Sequence, residues 1–286
     1  MRVAVIGGNG QLGTDALESF ATNGDEVFSL THADIELSDP SSVSKSLKEL
    51  RPQLIVNTAA MHHVERCESE PGHAFAVNAL GARNLACVAR DTGAVLIHVS
   101  TDYVFDGTKT SPYTEEDAPR PLNTYGNTKL AGEYFIRSIA EKHFVLRTSA
   151  LYGKNPCRAK GGLNFVELML KLAKDRRTVR VVDCEFVTPT RTTELARQMV
   201  ALSGSDCYGV YHATAEGCCS WYEYARQIFR LANIQVTLEV ARPDEFPAKV
   251  PRPKYSVLEN KALKRCGLNV LRPWQEGLSE YLSSNR

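Results

Sequence analysis

A chain of 286 residues is longer than one compact core usually needs, so one large α/β domain, or such a domain with a smaller companion, is expected. Lys and Arg number 34 against 33 for Asp and Glu, which gives no general attraction for nucleic acid or an anionic membrane and leaves any anion to a local site. The opening run Met1-Arg2-Val3-Ala4-Val5-Ile6-Gly7 is too short for a signal peptide or a membrane span, and no later stretch approaches the ~20 apolar residues a crossing requires, so a cytoplasmic protein is expected. Eight cysteines (67, 87, 157, 184, 207, 218, 219 and 266) form no CxxC pair and are expected to be reduced, buried and structural. That includes the adjacent Cys218 and Cys219, because neighbouring cysteines rarely meet disulfide geometry and no second ligand pair accompanies them.

Along the chain, short apolar runs at 3–6, 26–30, 54–57, 95–99 and 144–146 predict buried parallel strands. Helical patterns at 11–22, 41–50, 74–92 and 124–140 separate them, and this alternation predicts an α/β fold with a doubly wound, Rossmann-like parallel sheet. After Arg147-Thr148-Ser149 the pattern loosens through Asn155-Pro156 and Gly161-Gly162, so the dinucleotide-binding domain is placed at 1–150 and a smaller C-terminal substrate-binding cap at 151–286. An amphipathic helix at 163–174, a strand at 178–182, a helix at 193–203 and a strand at 210–212 follow. The part from about 186 to 212, with those last two elements, is expected to return to the main sheet. Prolines at 243, 247, 251 and 253 interrupt any regular element before a closing helix at 275–282.

The loop Gly7-Gly8-Asn9-Gly10-Gln11-Leu12-Gly13 joins the first strand to the first helix and satisfies both GxxGxxG and GxGxxG spacing. Without side chains such a loop turns tightly and offers backbone N–H groups to a pyrophosphate at a helix N-terminus. Folds of this kind that prefer NAD carry an acidic side chain roughly 20 residues later to accept from the ribose 2′-hydroxyl. Here the second strand ends Leu30-Thr31-His32; Thr31 would not repel a 2′-phosphate, His32 can help to bind one, and Asp34 and Glu36 lie late enough to meet the adenine instead. NADPH is therefore expected to be tolerated, with NADH open. The small residues of Asn57-Thr58-Ala59-Ala60-Met61 close the third strand in a way that lets backbone approach a cofactor, and Val99 at the end of the fourth strand is counted with them.

Thr101 and Asp102 follow the fourth strand and should project into the crevice at the carboxyl ends of the strands. Tyr125 and Lys129 arrive on the next helix, four residues apart and so on one face. A tyrosine has an ordinary pKa near ~10, and a nearby cation favours its phenolate. The expectation is that the Lys129 ammonium eases ionisation of Tyr125, that Tyr125 gives its proton to a developing alkoxide, and that Thr101 hydrogen-bonds the same oxygen: a nicotinamide-dependent carbonyl reductase.

These residues resemble the extended short-chain dehydrogenase/reductases and, within them, the dTDP-4-dehydrorhamnose reductase family. The likeness is carried by Ser100-Thr101-Asp102-Tyr103-Val104-Phe105-Asp106-Gly107, by 121–133, and by Leu146-Arg147-Thr148-Ser149, Asn164-Phe165-Val166, Gly209-Val210-Tyr211-His212 and Ser220-Trp221. The resemblance implies catalytic roles for Thr101, Tyr125 and Lys129, a cofactor loop at 7–13, an adenine-side contact at Glu36-Leu37 and a nicotinamide-side contact from Ala60 through Met61 to His62. It also implies a second role for Lys129 on the nicotinamide ribose. The segment Arg252-Pro253-Lys254-Tyr255-Ser256 looks like the family's Arg-Pro segment, whose arginine would meet a nucleotide phosphate. The implied reaction is reduction of the C4 ketone of a nucleotide-linked 4-keto-6-deoxy sugar by NADPH or NADH, in a monomer or homodimer that binds neither nucleic acid nor membrane.

This chain departs from the family pattern at Ala150, where an aromatic side chain is usual, at Asp183-Cys184-Glu185-Phe186-Val187, and at an apparent insertion over 156–162. Some relatives hold magnesium at a dimer contact; Asp15, Asp183 and Glu185 are positional candidates, but isolated surface carboxylates are ordinarily solvated and no metal is expected. Related dehydratases follow the threonine with two carboxylates, whereas here Asp102 precedes Tyr103. The alternatives left open are a nucleotide-sugar 4-epimerase and a non-catalytic NADP-binding regulatory subunit like that of methionine adenosyltransferase.

Overall fold

In the computed structural model, which describes residues 1–157, 161–242, 245 and 248–284, the first half alternates strand and helix. Its elements are β1 (Arg2–Ile6), α1 (Gln11–Thr22), β2 (Glu26–Leu30), α2 (Pro40–Leu50), β3 (Leu54–Asn57), α3 (Val64–Ser69), α4 (Pro71–Phe75), a π-helical turn (Ala76–Leu80), α5 (Gly81–Thr92), β4 (Val95–Thr101), α6 (Thr124–Ile139) and β5 (His143–Thr148). The second half contains β6 (Leu151–Tyr152), α7 (Phe165–Asp175), β7 (Thr178–Val181), β8 (Phe186–Val187), β9 (Thr190–Arg191), α8 (Thr192–Ser203) and β10 (Gly209–His212). It closes with β11 (Cys219–Ser220), α9 (Trp221–Ala232), β12 (Thr237–Val240), α10 (Lys261–Arg265) and α11 (Trp274–Ser283).

Helix boundaries follow local chemistry. Asp39 caps α2, accepting from the Ser41 N–H at 2.9 Å, and Pro40 occupies the first helical position, where its missing N–H costs nothing. Asn123 caps α6 through the Gly126 N–H at 2.9 Å. Both α7 and α9 open on full capping boxes, Asn164 with Glu167 and Ser220 with Glu223.

The main sheet has the order β10-β5-β4-β3-β1-β2, and every neighbouring pair is parallel. Successive strand residues face opposite sides. Val3, Val5, Val56, Phe144 and Leu146 therefore pack with α1 and with Leu195 and Met199 of α8, while Ala4, Ile6, Ile55, Leu96 and Val145 pack with Leu85 of α5 and Ile136 of α6. Fully burying one such side chain contributes ~1.5–3 kcal/mol. The direction of winding reverses between β1 and β3, which opens a crevice at their carboxyl ends.

A second core lies in the C-terminal half, where Tyr152, Val166, Met169, Val179, Tyr224, Ile228, Trp274 and Tyr281 pack together. There β7 pairs with β12, β8 with β11, and β6 with β9. Of the segment expected to return to the sheet, α8 packs on α1 and β10 extends the sheet beyond β5, but β8 pairs with β11 away from it. Pro243, Pro247 and residues 158–160 of the apparent insertion lie outside the described residues.

Two expectations need correction. Helix α9 and strand β12, which supply much of the second core and its small sheet, were not anticipated, although the Ser220-Trp221-Tyr222-Glu223 capping signature was present. Nor are all cysteines buried: Cys184, Cys207 and Cys218 are exposed because they sit in loops between short elements. No described helix is long and apolar enough to cross a membrane.

Candidate active site

At the β1 end of the crevice the backbone does the work. Gly7 turns with φ +76°, a left-handed conformation that L side chains rarely adopt, and its N–H donates to the Leu30 carbonyl at 2.8 Å. A Cβ on Gly13 would stand 2.1 Å from the Gly7 carbonyl oxygen, so α1 can approach β1 this closely only with glycine there. No side chain caps α1, whose N-cap is Gly10, so its first N–H groups and the positive end of its dipole are available to an anion. Asn9 is exposed at the tip and Leu12 is buried in the core, while the Gln11 amide donates to the Asn155 carbonyl at 2.9 Å and ties the loop to the segment after β6. A cradle that a Cβ would fill, facing uncapped N–H groups, fits a dinucleotide pyrophosphate.

Beyond β2, Asp34 accepts from both the backbone N–H and the hydroxyl of Thr31, at 2.8 and 2.7 Å. These bonds hold its carboxyl below the ordinary range. Glu36 is likewise lowered by Ser38, whose hydroxyl donates to it at 2.6 Å, and it faces His32 at 3.3 Å. Leu37 is buried.

At the carboxyl end of β3, Ala59, Ala60, Met61 and His62 are half-buried. Asn78, in the π-helical turn, accepts from the Met61 N–H at 2.9 Å, donates to the Met61 carbonyl at 2.9 Å and donates to Thr128 on α6 at 3.0 Å. The extra residue of that turn thus aims one amide at both polar groups of a loop residue and at the neighbouring helix. A Cβ on Gly132 of α6 would stand 2.5 Å from the Asn78 carbonyl oxygen, so the two helices nearly touch there.

Thr101, Asp102, Tyr125 and Lys129 converge where β4 meets α6. The Tyr125 phenol lies beside the Thr101 side chain, whose hydroxyl donates to Asp102 at 3.0 Å and accepts the Tyr103 N–H at 3.1 Å. The Asp102 carboxylate also receives Ser149 at 2.9 Å and lies beside Ser256, and both hydroxyls counter the burial pushing its pKa up. Tyr103 meets Tyr125 edge to face, with ring centroids 5.9 Å apart. Lys129 is buried and its Nζ lies 2.7 Å from the Val99 carbonyl and 3.0 Å from His98 Nε2. Burial lowers its amine to about 8 despite the nearby Glu133.

This differs from the expected priming of the phenol. Burial, followed by the Asp102 charge, raises the Tyr125 pKa above its ordinary value, and the Lys129 amine is engaged by β4. The physical reason is desolvation, which penalises the phenolate and the ammonium alike. The Thr101 proton, too, is already given to Asp102.

His98 carries no motif signal, and Asn57, Glu133 and Arg147 stand in runs that point to the site without indicating these contacts. Glu133 and Arg147 form a buried ion pair at 2.7 Å, and Ser100 donates to the same carboxylate at 2.5 Å. Ser149 and Ser256, each within a family-like motif, turn out to flank Asp102. Arg252 is half-buried, and one of its terminal nitrogens lies 2.5 Å from Glu65 of α3, so the C-terminal half and the β3 side are joined by an ion pair. Ala150 has φ +44°, left-handed for a residue with a Cβ.

Of the three carboxylates considered for a metal, Asp15 is buried rather than at the surface, and Asp183 accepts from the Ser220 hydroxyl. No cluster of three or more His, Cys, Asp or Glu side chains able to hold a metal occurs among the described residues.

A family model described as RmlD substrate binding domain matches residues 1–286. The spore coat polysaccharide biosynthesis protein SpsK of Bacillus subtilis is 38% identical over 281 residues, spanning 98% of this chain and 96% of that protein. Among solved structures, a dTDP-4-dehydrorhamnose reductase from Clostridium acetobutylicum is similar with a TM-score of 0.95 at 38% identity, covering 100% of this chain and 99% of the other. A dTDP-4-dehydrorhamnose reductase from Bacillus anthracis, in complex with NADP, is similar with a TM-score of 0.94 at 36% identity, covering 99% of each chain.

Proposed function

We propose, from the premise that this chain belongs to the RmlD substrate-binding-domain family, that it reduces the C4 ketone of a nucleotide-linked 4-keto-6-deoxy sugar, as dTDP-4-dehydrorhamnose to dTDP-L-rhamnose, using NADPH or NADH. The observation that supports this most directly is the juxtaposition of Tyr125 and Thr101, with Lys129 beside the β4 backbone and the glycine cradle across the same crevice.

Gly7, Gly10 and Gly13, with Asn9, Gln11 and Leu12 between them, would hold the pyrophosphate. Thr31, Glu36 and Leu37 would lie on the adenosine side; Ala59, Ala60, Met61, Val99, Tyr125 and Lys129 would lie along the nicotinamide side. When bound, the nicotinamide supplies the hydride to the ketone carbon. Tyr125 delivers its proton to the ketone oxygen as charge develops there, and Thr101 turns its hydroxyl proton from Asp102 to the same oxygen. Positioned acid catalysis of this kind typically contributes ~10²–10⁴-fold. Asp102 keeps the threonine oriented, and Lys129 in its charged form stabilises the phenolate left behind. Arg252 is assigned to a nucleotide phosphate, for which its planar fork is suited, with Glu65 as the group it leaves. The cofactor domain is assigned to residues 1–150 with α8 and β10, and the cap to most of the rest.

The test is loss of reduced-nicotinamide absorbance against a panel of nucleotide-linked 4-keto-6-deoxy sugars. Stoichiometric oxidation with formation of the 4-hydroxy sugar is expected. Interconversion of 4-epimers without net oxidation would identify an epimerase, and firm NADPH binding with no turnover across the panel would identify a regulatory subunit.

A further inference from the structure

Asn57 and His98 are register partners on β3 and β4, and both are buried, as is Lys129. The Ala59 N–H donates to Asn57 Oδ1 at 3.1 Å, which fixes the amide and turns its nitrogen toward His98 Nδ1 at 3.0 Å. An amide nitrogen can only donate, so Nδ1 has to accept. Burial keeps the imidazole neutral, holding its pKa well below the ordinary histidine value, so its one proton belongs on Nε2. That N–H points at Lys129 Nζ, 3.0 Å away.

An ammonium has no lone pair, so a charged Lys129 would set two donors head to head in a buried site. An uncharged amine removes the conflict, accepting from His98 and donating to the Val99 carbonyl at 2.7 Å. We propose that His98 is a positioning residue that, in the tautomer imposed by Asn57, holds Lys129 as an uncharged amine, and that charging Lys129 requires His98 to change tautomer and Asn57 to rotate its amide.

The protons balance along the network. One proton added at His98 Nδ1, with the Nε2 proton passed to Nζ, leaves a neutral imidazole and an ammonium. Nδ1–H then needs Asn57 Oδ1, which releases the Ala59 N–H on the nicotinamide-side loop. The titratable groups around Lys129 are His98 on β4 and Glu133 on α6. Glu133 favours the cation, but Arg147 on β5 and Ser100 on β4 already share its charge. The lowered Lys129 value, about 8, places the switch within an accessible pH range.

The direct test is nitrogen NMR of the protein labelled at its histidine ring nitrogens, with the His98 signals assigned through His98→Gln, titrated between about pH 6 and about pH 10. The alkaline form should carry its proton on Nε2, and the signals should exchange for the Nδ1-protonated pattern as Lys129 charges. One tautomer throughout the range would overturn the proposal. A second arm uses Asn57→Asp, whose carboxylate can accept from both the Ala59 N–H and Nδ1–H and so favours charged Lys129. The alkaline limb of kcat/KM should then move upward by about one pH unit or more, a tenfold change in proton affinity, with little change in the KM for the nucleotide cofactor. An unmoved limb in the folded variant would also overturn it. Only this arm rests on the reductase reading; wild-type protein without turnover would sink that reading and leave the tautomer measurement standing.

Discussion

The two ends of the crevice are built by opposite means. At β1 the recognition surface is backbone, kept bare by glycine and by the absence of a capping side chain on α1. At β4 and α6 it is side chain: Thr101 is bonded to Asp102 and Lys129 to His98, in a site where burial shifts the charges of Asp102, Tyr125, Lys129 and His98. A backbone cradle has fixed dipoles and does not titrate, whereas the side-chain end stores its chemistry in protonation states. The first is suited to holding a permanent anion, the second to moving a proton.

From that division the largest effect belongs to Tyr125→Phe. Turnover should fall by ~10²–10⁴-fold, with the cofactor dissociation constant little changed; measured side by side, retained turnover would remove Tyr125 from the proton-transfer role. Next comes the buried ion pair behind it. Glu133→Gln leaves Arg147 charged and partly unpaired at 2.7 Å from its former partner, and breaking such a pair costs ~3–5 kcal/mol. Denaturant unfolding should report that loss, and a stability change near zero would mean that Arg147 is stabilised in the fold without the Glu133 charge.

Gly13→Ala probes the other end. Its Cβ would fall 2.1 Å from a carbonyl oxygen, and overpacking of this sort costs ~1–3 kcal/mol. NADPH affinity should drop by about 10–100-fold, read by fluorescence titration, while the Tyr125-dependent pH profile of kcat stays in place. A changed profile with unchanged affinity would reverse the comparison.

Acid stability separates the two ends in the wild type. His98 and His212 are buried, with folded pKa values below the ordinary 6.5, that of His212 down to about 3. The unfolded chain therefore binds more protons below about pH 6.5, so stability is present above that value and is lost as pH falls. Each histidine contributes a slope of up to ~1.4 kcal/mol per pH unit. Thermal unfolding followed from neutral pH downward should show it, and replacing His212 by a neutral residue should flatten the curve. The smallest effect is expected at the rim, where Glu65→Gln removes the partner of Arg252. For a half-exposed pair worth ~0.2–1 kcal/mol, nucleotide-sugar KM should improve by no more than about fivefold; a weakened KM would show that Glu65 positions Arg252 for its phosphate.

The same division explains what could be read from the chain itself. The glycine spacing, the strand that precedes it and the helix that follows are contiguous, so 7–13 declares itself locally. Tyr125 and Lys129 are close in sequence and share a helix. Asn57 and His98 meet only through the register of β3 with β4, 41 residues apart, and Glu133 meets Arg147 only because α6 packs over β5. For Tyr125, proximity to a lysine is visible in sequence, whereas the desolvation that raises its pKa comes from packing. In the C-terminal half, β12 pairs with β7 across some 60 residues with little periodicity of its own, whereas α9 carried a capping signature and an apolar stripe.

The wide turn at Ala76–Leu80 has a consequence for changes of chain length. Removing one residue there would restore ordinary α winding and, at 3.6 residues per turn, swing everything upstream by about 100°. Asn78 would leave Met61, and the β3 loop would lose the clasp on both its N–H and its carbonyl. A single-codon deletion in this helix should therefore slacken the β3 loop and its tie to α6 while the sheet itself survives.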